Sequence, residues 1–242
     1  MASGTTRVLV DVGLSMPALL KRLKKAEIDP TSIDAVLVTH EHIDHVLGLD
    51  VFLKNFGAHV YLHEAVVDIF PTLPHERVRT FVGEFEIGDI AVRFFPVPHD
   101  SRFCFGYTFR SGDAKVSIAT DLGRVTGEAL TQMAGSQIVM IECNHDLAKL
   151  EANRRYPYVL KKRIMGSHGH LSNPASALAI YQLAGTGATQ FILAHLSGEN
   201  NTPTLAYEFV RDFLGVRGLI EGEHVWIDVA SQDEPGAPFS VD

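Results

Sequence analysis

Seven consecutive residues, Thr39-His40-Glu41-His42-Ile43-Asp44-His45, hold three imidazoles and two carboxylates. Imidazole nitrogens and carboxylate oxygens are donors that suit a divalent first-row metal. The run follows a buried-strand pattern and precedes a helical one. His40, His42, Asp44 and His45 therefore fall at i, i+2, i+4 and i+5 of a strand-to-helix turn and can converge on one point. So many ionisable groups this close need charge compensation. A solvated polar turn is the alternative reading, and three histidines with an aspartate inside six residues weigh against it. More donors stand at the ends of other apolar runs: His99 after Phe94-Phe95-Pro96-Val97-Pro98, Asp121 after Ile118-Ala119-Thr120, and His195 after Phe191-Ile192-Leu193-Ala194. Functional side chains gather on loops at one edge of a rigid sheet. Singly each reads as a cap or a surface residue; jointly they read as a metal site.

The elements that must position these side chains are visible as hydrophobic periodicity. Strands are expected over 8–10, 35–38, 59–62, 90–95, 103–109, 116–119, 138–141, 191–194 and 225–229. Met16, Leu19, Leu20 and Leu23 form a helical stripe, and further helices are expected over 46–56, after a cap at Asn173 with Pro174 opening the helix, and over 205–214. This is an α/β mixture with too many adjacent strands for a simple alternating parallel sheet. The 242 residues, 46% hydrophobic and 21% charged, suit one globular domain over 1–230. The polar tail over 231–242, with two prolines, is expected to be flexible and frayed. A net charge of −8 counts against non-specific binding of polyanions, unless metals or a local basic patch reverse the field. Two cysteines, Cys104 and Cys143, exclude a disulfide framework and a four-cysteine zinc module. With no basic start leading into an apolar leader, and no run of about 18 apolar residues, the expectation is a cytoplasmic protein that is neither exported nor membrane-spanning.

The ordered set His-x-His-x-Asp-His, His99, Asp121 and His195 resembles the metallo-β-lactamase-fold hydrolases over nearly the whole chain. More narrowly, 8–15 (VLVDVGLS), Pro98-His99-Asp100, Glu142-Cys143-Asn144-His145-Asp146, Gly169-His170-Leu171-Ser172-Asn173 and the 194–201 block resemble the YycJ/VicX (WalJ) branch. The resemblance implies a four-layer αββα sandwich with two divalent ions in a groove along one sheet edge, zinc first, with manganese or iron as alternatives. It implies that His40, His42 and His99 hold one ion, that Asp44, His45 and His195 hold the other, and that Asp121 bridges them. Two ions would bring the pKa of a shared water toward about 7 and clamp the oxygens of a phosphate, so no protein nucleophile is needed. The branch is associated with 5′ to 3′ exonuclease activity on DNA, which makes nucleic acid, DNA before RNA, the implied partner. Its members open with a strand bearing a Ser-Gly-Ser-x-Gly-Asn motif that has no counterpart before Val8 here, so the sheet edge is expected to lack that first strand.

Within this frame Asp44 is the candidate for orienting the nucleophile, and His145 and His170, both on family-like blocks, are candidates for serving the leaving oxygen or gripping the phosphate. His168 and Asn200 are candidate substrate contacts. Asp11 reads equally well as a strand-end cap or as a prop for the histidine cluster. His59, His63, His75 and His224 show no clustering and read as structural or solvated; both cysteines read as buried and inert. Between 149 and 163 six basic residues, including Arg154 and Arg155, face one acid, Glu151, with Tyr156 and Tyr158 interleaved. That segment could track a nucleic-acid backbone, or it is a wet helix face. Three other readings compete with the nuclease: hydrolysis of a β-lactam, lactone or thioester on the same metals, an iron oxidoreductase in the same ligand frame, and a non-catalytic nucleic-acid-binding domain. The missing flavin domain and the intact ligand set disfavour the last two.

Overall fold

Runs of consecutive apolar residues give the central short strands two buried faces, and the computed structural model, which describes residues 1–241, shows what covers them. Strands β1 (Val8–Val10), β2 (Ala35–Leu37), β3 (His59–His63) and β4 (Val78–Phe81) pair in parallel, in that order, as one sheet. A second sheet contains β5 (Phe85–Ile87), β6 (Ile90–Pro96), β7 (Phe105–Ser111), β8 (Ala114–Ala119), β9 (Ile138–Glu142), β10 (Gln190–Ala194) and β11 (Trp226–Val229), ordered β11-β10-β9-β8-β7-β6-β5. Its β5 to β8 half is antiparallel and its β8 to β11 half parallel. Strands β6, β8 and β10 therefore point the same way, and their C-terminal ends share one edge.

The core has three slabs. Val36 of β2 packs with Leu19 and Leu23 of α1 (Met16–Lys25) and with Phe52 and Leu53 of α3 (Leu49–Asn55). Its neighbours Ala35 and Leu37 face the other way, onto Val92, Phe105, Tyr107 and Phe109 of the second sheet. Beyond that sheet, α4 (Gly127–Met133), α7 (Asn173–Ala184) and α8 (Pro203–Gly215) cover Val139, Ile141, Phe191 and Leu193 with Met133, Ile180, Leu183, Val210 and Leu214. These helix and sheet layers make the αββα sandwich.

Several elements differ from the periodicity reading. The helix expected over 46–56 is broken: α2 (Ile43–Val46) and α3 meet at Gly48, whose amide donates to the Val12 carbonyl. Ser172 and not Asn173 caps α7, its hydroxyl accepting from the Ala175 amide, because Asn173 turns inward and donates to Asn201. The strand expected from 103 starts at Phe105. Strands β4 and β5, helix α4, and the short helices α5 (Leu147–Ala152) and α6 (Tyr158–Ile164) carry too few buried residues to show a period; α6 buries none. Residues 231–241 do not hang free: Gln232 donates to the Leu196 carbonyl, Glu234 pairs with Lys25, and Ala237 to Val241 lie along an apolar groove of about 600 Å³ beside β1. Asp242 lies outside the described residues. Among the described residues no helix is long and apolar enough to cross a membrane.

Candidate metal centre

Four strand ends deliver the donors. His40 follows β2 through Val38 and Thr39, His99 follows β6, Asp121 follows β8, and His195 follows β10 directly. His42 caps α2, and Asp44 and His45 lie within it. Side-chain donor atoms of His40, His42 and His99 lie within 4.8 Å of one another, as do those of Asp44, His45 and His195. Asp121 stands between the trios: one oxygen is 3.3 Å from His45 Nε2, the other 3.4 Å from His195 Nδ1 and 3.8 Å from His99 Nε2.

The chain holds these groups in place from behind. The Asp11 carboxylate accepts from the Thr39 amide at 2.7 Å and the Thr39 hydroxyl at 2.8 Å, and meets His45 Nδ1 at 2.7 Å. The same hydroxyl contacts His40 Nδ1 at 3.0 Å, and the Gly169 carbonyl meets His99 Nδ1 at 3.1 Å. With their Nδ1 atoms engaged, His40, His45 and His99 present Nε2 to the common space. Gly13 is required here, since a Cβ would coincide with the Asp44 carbonyl oxygen. Asp11, Asp121 and His195 all have left-handed backbones, at φ 61°, 57° and 56°. Such conformations persist where the surroundings over-determine them.

Glu142, at the end of β9, is the largest addition to the residues that spacing singled out. It is fully buried, and its Oε1 meets His170 Nδ1 at 2.8 Å and His195 Nδ1 at 2.7 Å while Oε2 accepts from the Leu122 and Leu171 amides. Burial opposes its charge, but the two histidines outweigh burial and hold the carboxyl down at about 2. Burial likewise opposes a proton on His195, and the hydrogen bond to Glu142 with the charges of Asp121 and Glu142 reverses this, raising it to about 9. His170 is raised in the same way. In contrast, burial and the surrounding imidazoles push His40 down to about 2, so it stays neutral with a lone pair to give.

These residues fit divalent ions. His40 Nε2 and Asp121 Oδ2 are buried with no hydrogen-bond partner, an arrangement that native interiors avoid unless something else satisfies the atoms. A cation between the trios would satisfy both, and the nitrogen and oxygen donor set suits zinc, manganese or iron.

The remaining candidates part company. His170, about one-quarter exposed, joins Asp121, Glu142 and His195. His145 is not brought to the cluster: it is 1% exposed, with both ring nitrogens unpartnered, and burial lowers it to about 4. Asn200 is also withdrawn from the surface, its side-chain oxygen accepting from Asn153. His168 is exposed, its ring against Ser167, in a turn that packs on Gly123 so closely that a Cβ on Gly123 would meet the backbone of Gly166 to His168. Arg154 and Arg155 are exposed, and Arg155 pairs with Glu199. Cys143 is buried against Asn173 and raised to about 12 by burial; burial raises Cys104 further. A pocket of about 350 Å³ opens beside His170 and His195, walled by Tyr156, Arg163, Ser197 and Gln232 among others.

The family described as Beta-lactamase superfamily domain matches residues 6–196. Exodeoxyribonuclease YycJ of Bacillus anthracis is 34% identical over 223 residues, 90% of this chain and 84% of that protein. Exodeoxyribonuclease WalJ of Streptococcus pneumoniae serotype 2 is 31% identical over 209 residues, 83% of this chain and 77% of that protein. The metallo-β-lactamase fold protein YhfI of Bacillus subtilis superposes with a TM-score of 0.73 at 17% identity, over 96% of this chain and 87% of that one, a likeness of fold. Sandwich and donor cluster together define a metal-dependent hydrolase of the metallo-β-lactamase fold. The chain belongs to the β-lactamase superfamily, in the branch that includes YycJ and WalJ.

Proposed function

We propose that the protein is a binuclear metal-dependent phosphodiesterase that removes nucleotides from the 5′ end of DNA in the cytoplasm. The observation that carries this reading is the placement of His170: Glu142 holds its Nδ1, and its ring borders both the Asp121 cluster and the adjoining pocket. A phosphodiester needs a group that protonates the departing alkoxide, and a histidine held by a buried carboxylate supplies one. Two divalent ions held by His40, His42, His99 and by Asp44, His45, His195, with Asp121 between, would activate water and neutralise phosphate charge. Zinc is the first candidate, with manganese or iron as alternatives. Asp44, exposed on α2, orients the attacking water from the solvent side. Glu142 keeps His170 and His195 in one tautomer and orientation. The basic run over 149–163 lies next to the pocket and offsets the repulsion that the net charge of −8 would impose on a polyanion. Arg154 and Arg155 serve here as long-range attraction, not as contacts at the reacting bond.

The relatives' names support DNA as the substrate and an exonucleolytic cut. The test is cleavage of 5′-labelled and 3′-labelled DNA by metal-free protein resupplied with Mn²⁺ or Zn²⁺, with His40→Ala as control. Mononucleotides released from the 5′ end by the wild type alone are expected. Turnover of an ester, lactone or β-lactam, with no cleavage of DNA or RNA under any metal, would move the activity to another bond.

A further inference from the structure

We propose that the pocket between α4 and the outer face of β6, β7 and β8 is an anion site, where Arg93, Arg110 and Lys115 bind one free oxyanion of the phosphate class. The pocket lies at the edge of the second sheet away from the metal centre. Lys115 stands at the start of β8, which runs about 13 Å from there to Ala119 before Asp121 joins the donor cluster. The site is therefore separate from the metal centre, and its chemistry does not depend on which bond that centre cuts.

Sheet register brings the three cations together. Arg110 of β7 stands directly opposite Lys115 of β8, and Arg93 of β6 stands opposite Thr108, two residues along β7 from Arg110. Val92, Phe109 and Ile118 turn toward the first sheet, so alternation puts Arg93, Thr108, Arg110 and Lys115 on the face that α4 covers. Like charges directly opposite across a strand pair destabilise a sheet, and the diagonal third cation adds to the repulsion. Glu84 accepts from Arg93 Nε at 2.8 Å and offsets one charge; among the described residues lining the pocket it is the one acid. The Arg110 guanidinium has no ion pair among the described residues. In a chain of net charge −8, three cations gathered against one acid form a local field that a bound anion would neutralise.

The surroundings fit an oxyanion. The cavity measures about 150 Å³, well below the roughly 300–1,000 Å³ of sites for organic ligands, so it has room for an ion and not for a nucleotide. Its floor is polar: the buried Thr108 hydroxyl meets that of Ser117 at 3.0 Å, and Thr131 and Gln132 of α4 form a wall. Lys115 is half-buried, and its Nζ donates to the Ala134 carbonyl at 2.5 Å, which fixes the ammonium and leaves two of its three N–H groups to give. Burial first, then the charges of Arg110 and Arg93, pull Lys115 below the ordinary lysine range, as befits an ammonium short of a counter-ion. Two guanidinium forks and one ammonium around a small cavity suit a tetrahedral oxyanion, because each fork can donate to two oxygens at once.

The experiment titrates inorganic phosphate into the metal-loaded protein by calorimetry, at an ionic strength held constant with chloride, and compares wild type, Arg110→Gln and Arg110→Lys. Phosphate at the metal centre is common to all three, so the difference between them reports the pocket. Wild type is expected to bind one phosphate more per chain than Arg110→Gln, or to bind that phosphate roughly tenfold more tightly, and Arg110→Lys to keep part of the affinity. Metal content should be the same in all three. Where the heats are too small to resolve, melting temperatures decide: phosphate in place of chloride should raise that of wild type by more than that of Arg110→Gln, since a ligand held by the folded chain adds to the general salting effect. Circular dichroism checks folding; if Arg110→Gln does not fold, Arg93→Gln, whose side chain is more than half exposed, takes its place. Titrations that coincide for wild type and variant, or equal melting increments where the heats are unresolved, overturn the inference and leave the nuclease reading untouched.

Discussion

The donor cluster and the 153–168 segment border the same pocket and are built in opposite ways. In the cluster, His40, His45, His99 and Asp121 are buried, and each of the three histidines is braced by a named backbone or side-chain group. In the segment, α6 buries nothing, Tyr158 and Val159 stand in solvent, and the ion pairs, Arg155 with Glu199 and Arg163 with Asp100, lie at the surface. The difference teaches a division of labour: groups that must hold an ion to within tenths of an ångström are set on strand ends, while groups that attract a polyanion need only be near. Buried, over-determined groups should therefore fail steeply when altered, and exposed ones gradually.

The largest effect should come from Asp121→Asn, which removes the charge between the two trios. Metal content measured by atomic absorption should fall, and turnover should drop by roughly 1,000-fold. A variant that keeps its metal and most of its rate would separate Asp121 from the centre.

Glu142→Gln comes next. It touches no proposed reacting atom, yet loss of a bracing carboxylate should weaken metal binding or activity by roughly 10- to 100-fold. It should also change the pH dependence of stability in the metal-free protein. The Glu142 carboxyl is depressed from 4.5 to about 2, so its contribution is present above 4.5 and is lost as pH falls toward 2. His195 is raised from 6.5 to about 9, so its contribution is complete below 6.5 and is lost as pH rises toward 9. The gap in melting temperature between wild type and variant should thus be widest between 4.5 and 6.5 and narrow on both sides. A gap independent of pH would mean that the three groups are not paired as described.

Gly123→Ala tests the contact between the cluster and the segment. The added methyl must displace the backbone of Gly166 to His168 and with it His170. Overpacking of this kind costs about 1–3 kcal/mol, and turnover should fall by more than metal affinity does. Smallest of all, Lys161→Gln with Lys162→Gln should leave metal content alone and lower DNA affinity a few-fold, flattening the salt dependence by up to about two contacts' worth. An unchanged salt slope would remove this stretch from the substrate path.

How far the sequence revealed the site follows the same division. The motif from His40 to His45 was legible because its donors are contiguous, and the strand-end donors because each closes an apolar run. Glu142 closes such a run too, and stood inside a recognised block, but its partners are 28 and 53 residues away, so nothing local marked its role. His145 lies in the same block, and its burial, with a bridge to Ser172 before α7, depends in the same way on residues far along the chain. Strands with two buried faces announced themselves, while α6, with no buried face, had no period to detect.

The left-handed backbones at Asp11, Asp121 and His195 have a consequence for how this centre can vary. Among residues with a Cβ, asparagine, aspartate and histidine are those that enter this region most readily. Three positions thus demand, from the backbone alone, the residue types that the metal chemistry and its bracing also demand. A cysteine or glutamate there would bring a competent donor atom on a main chain that resists the turn. The repertoire of exchange at these points is therefore narrower than coordination chemistry would set, and the choice of metal is more easily retuned through Asp44 or His42, whose backbones are ordinary.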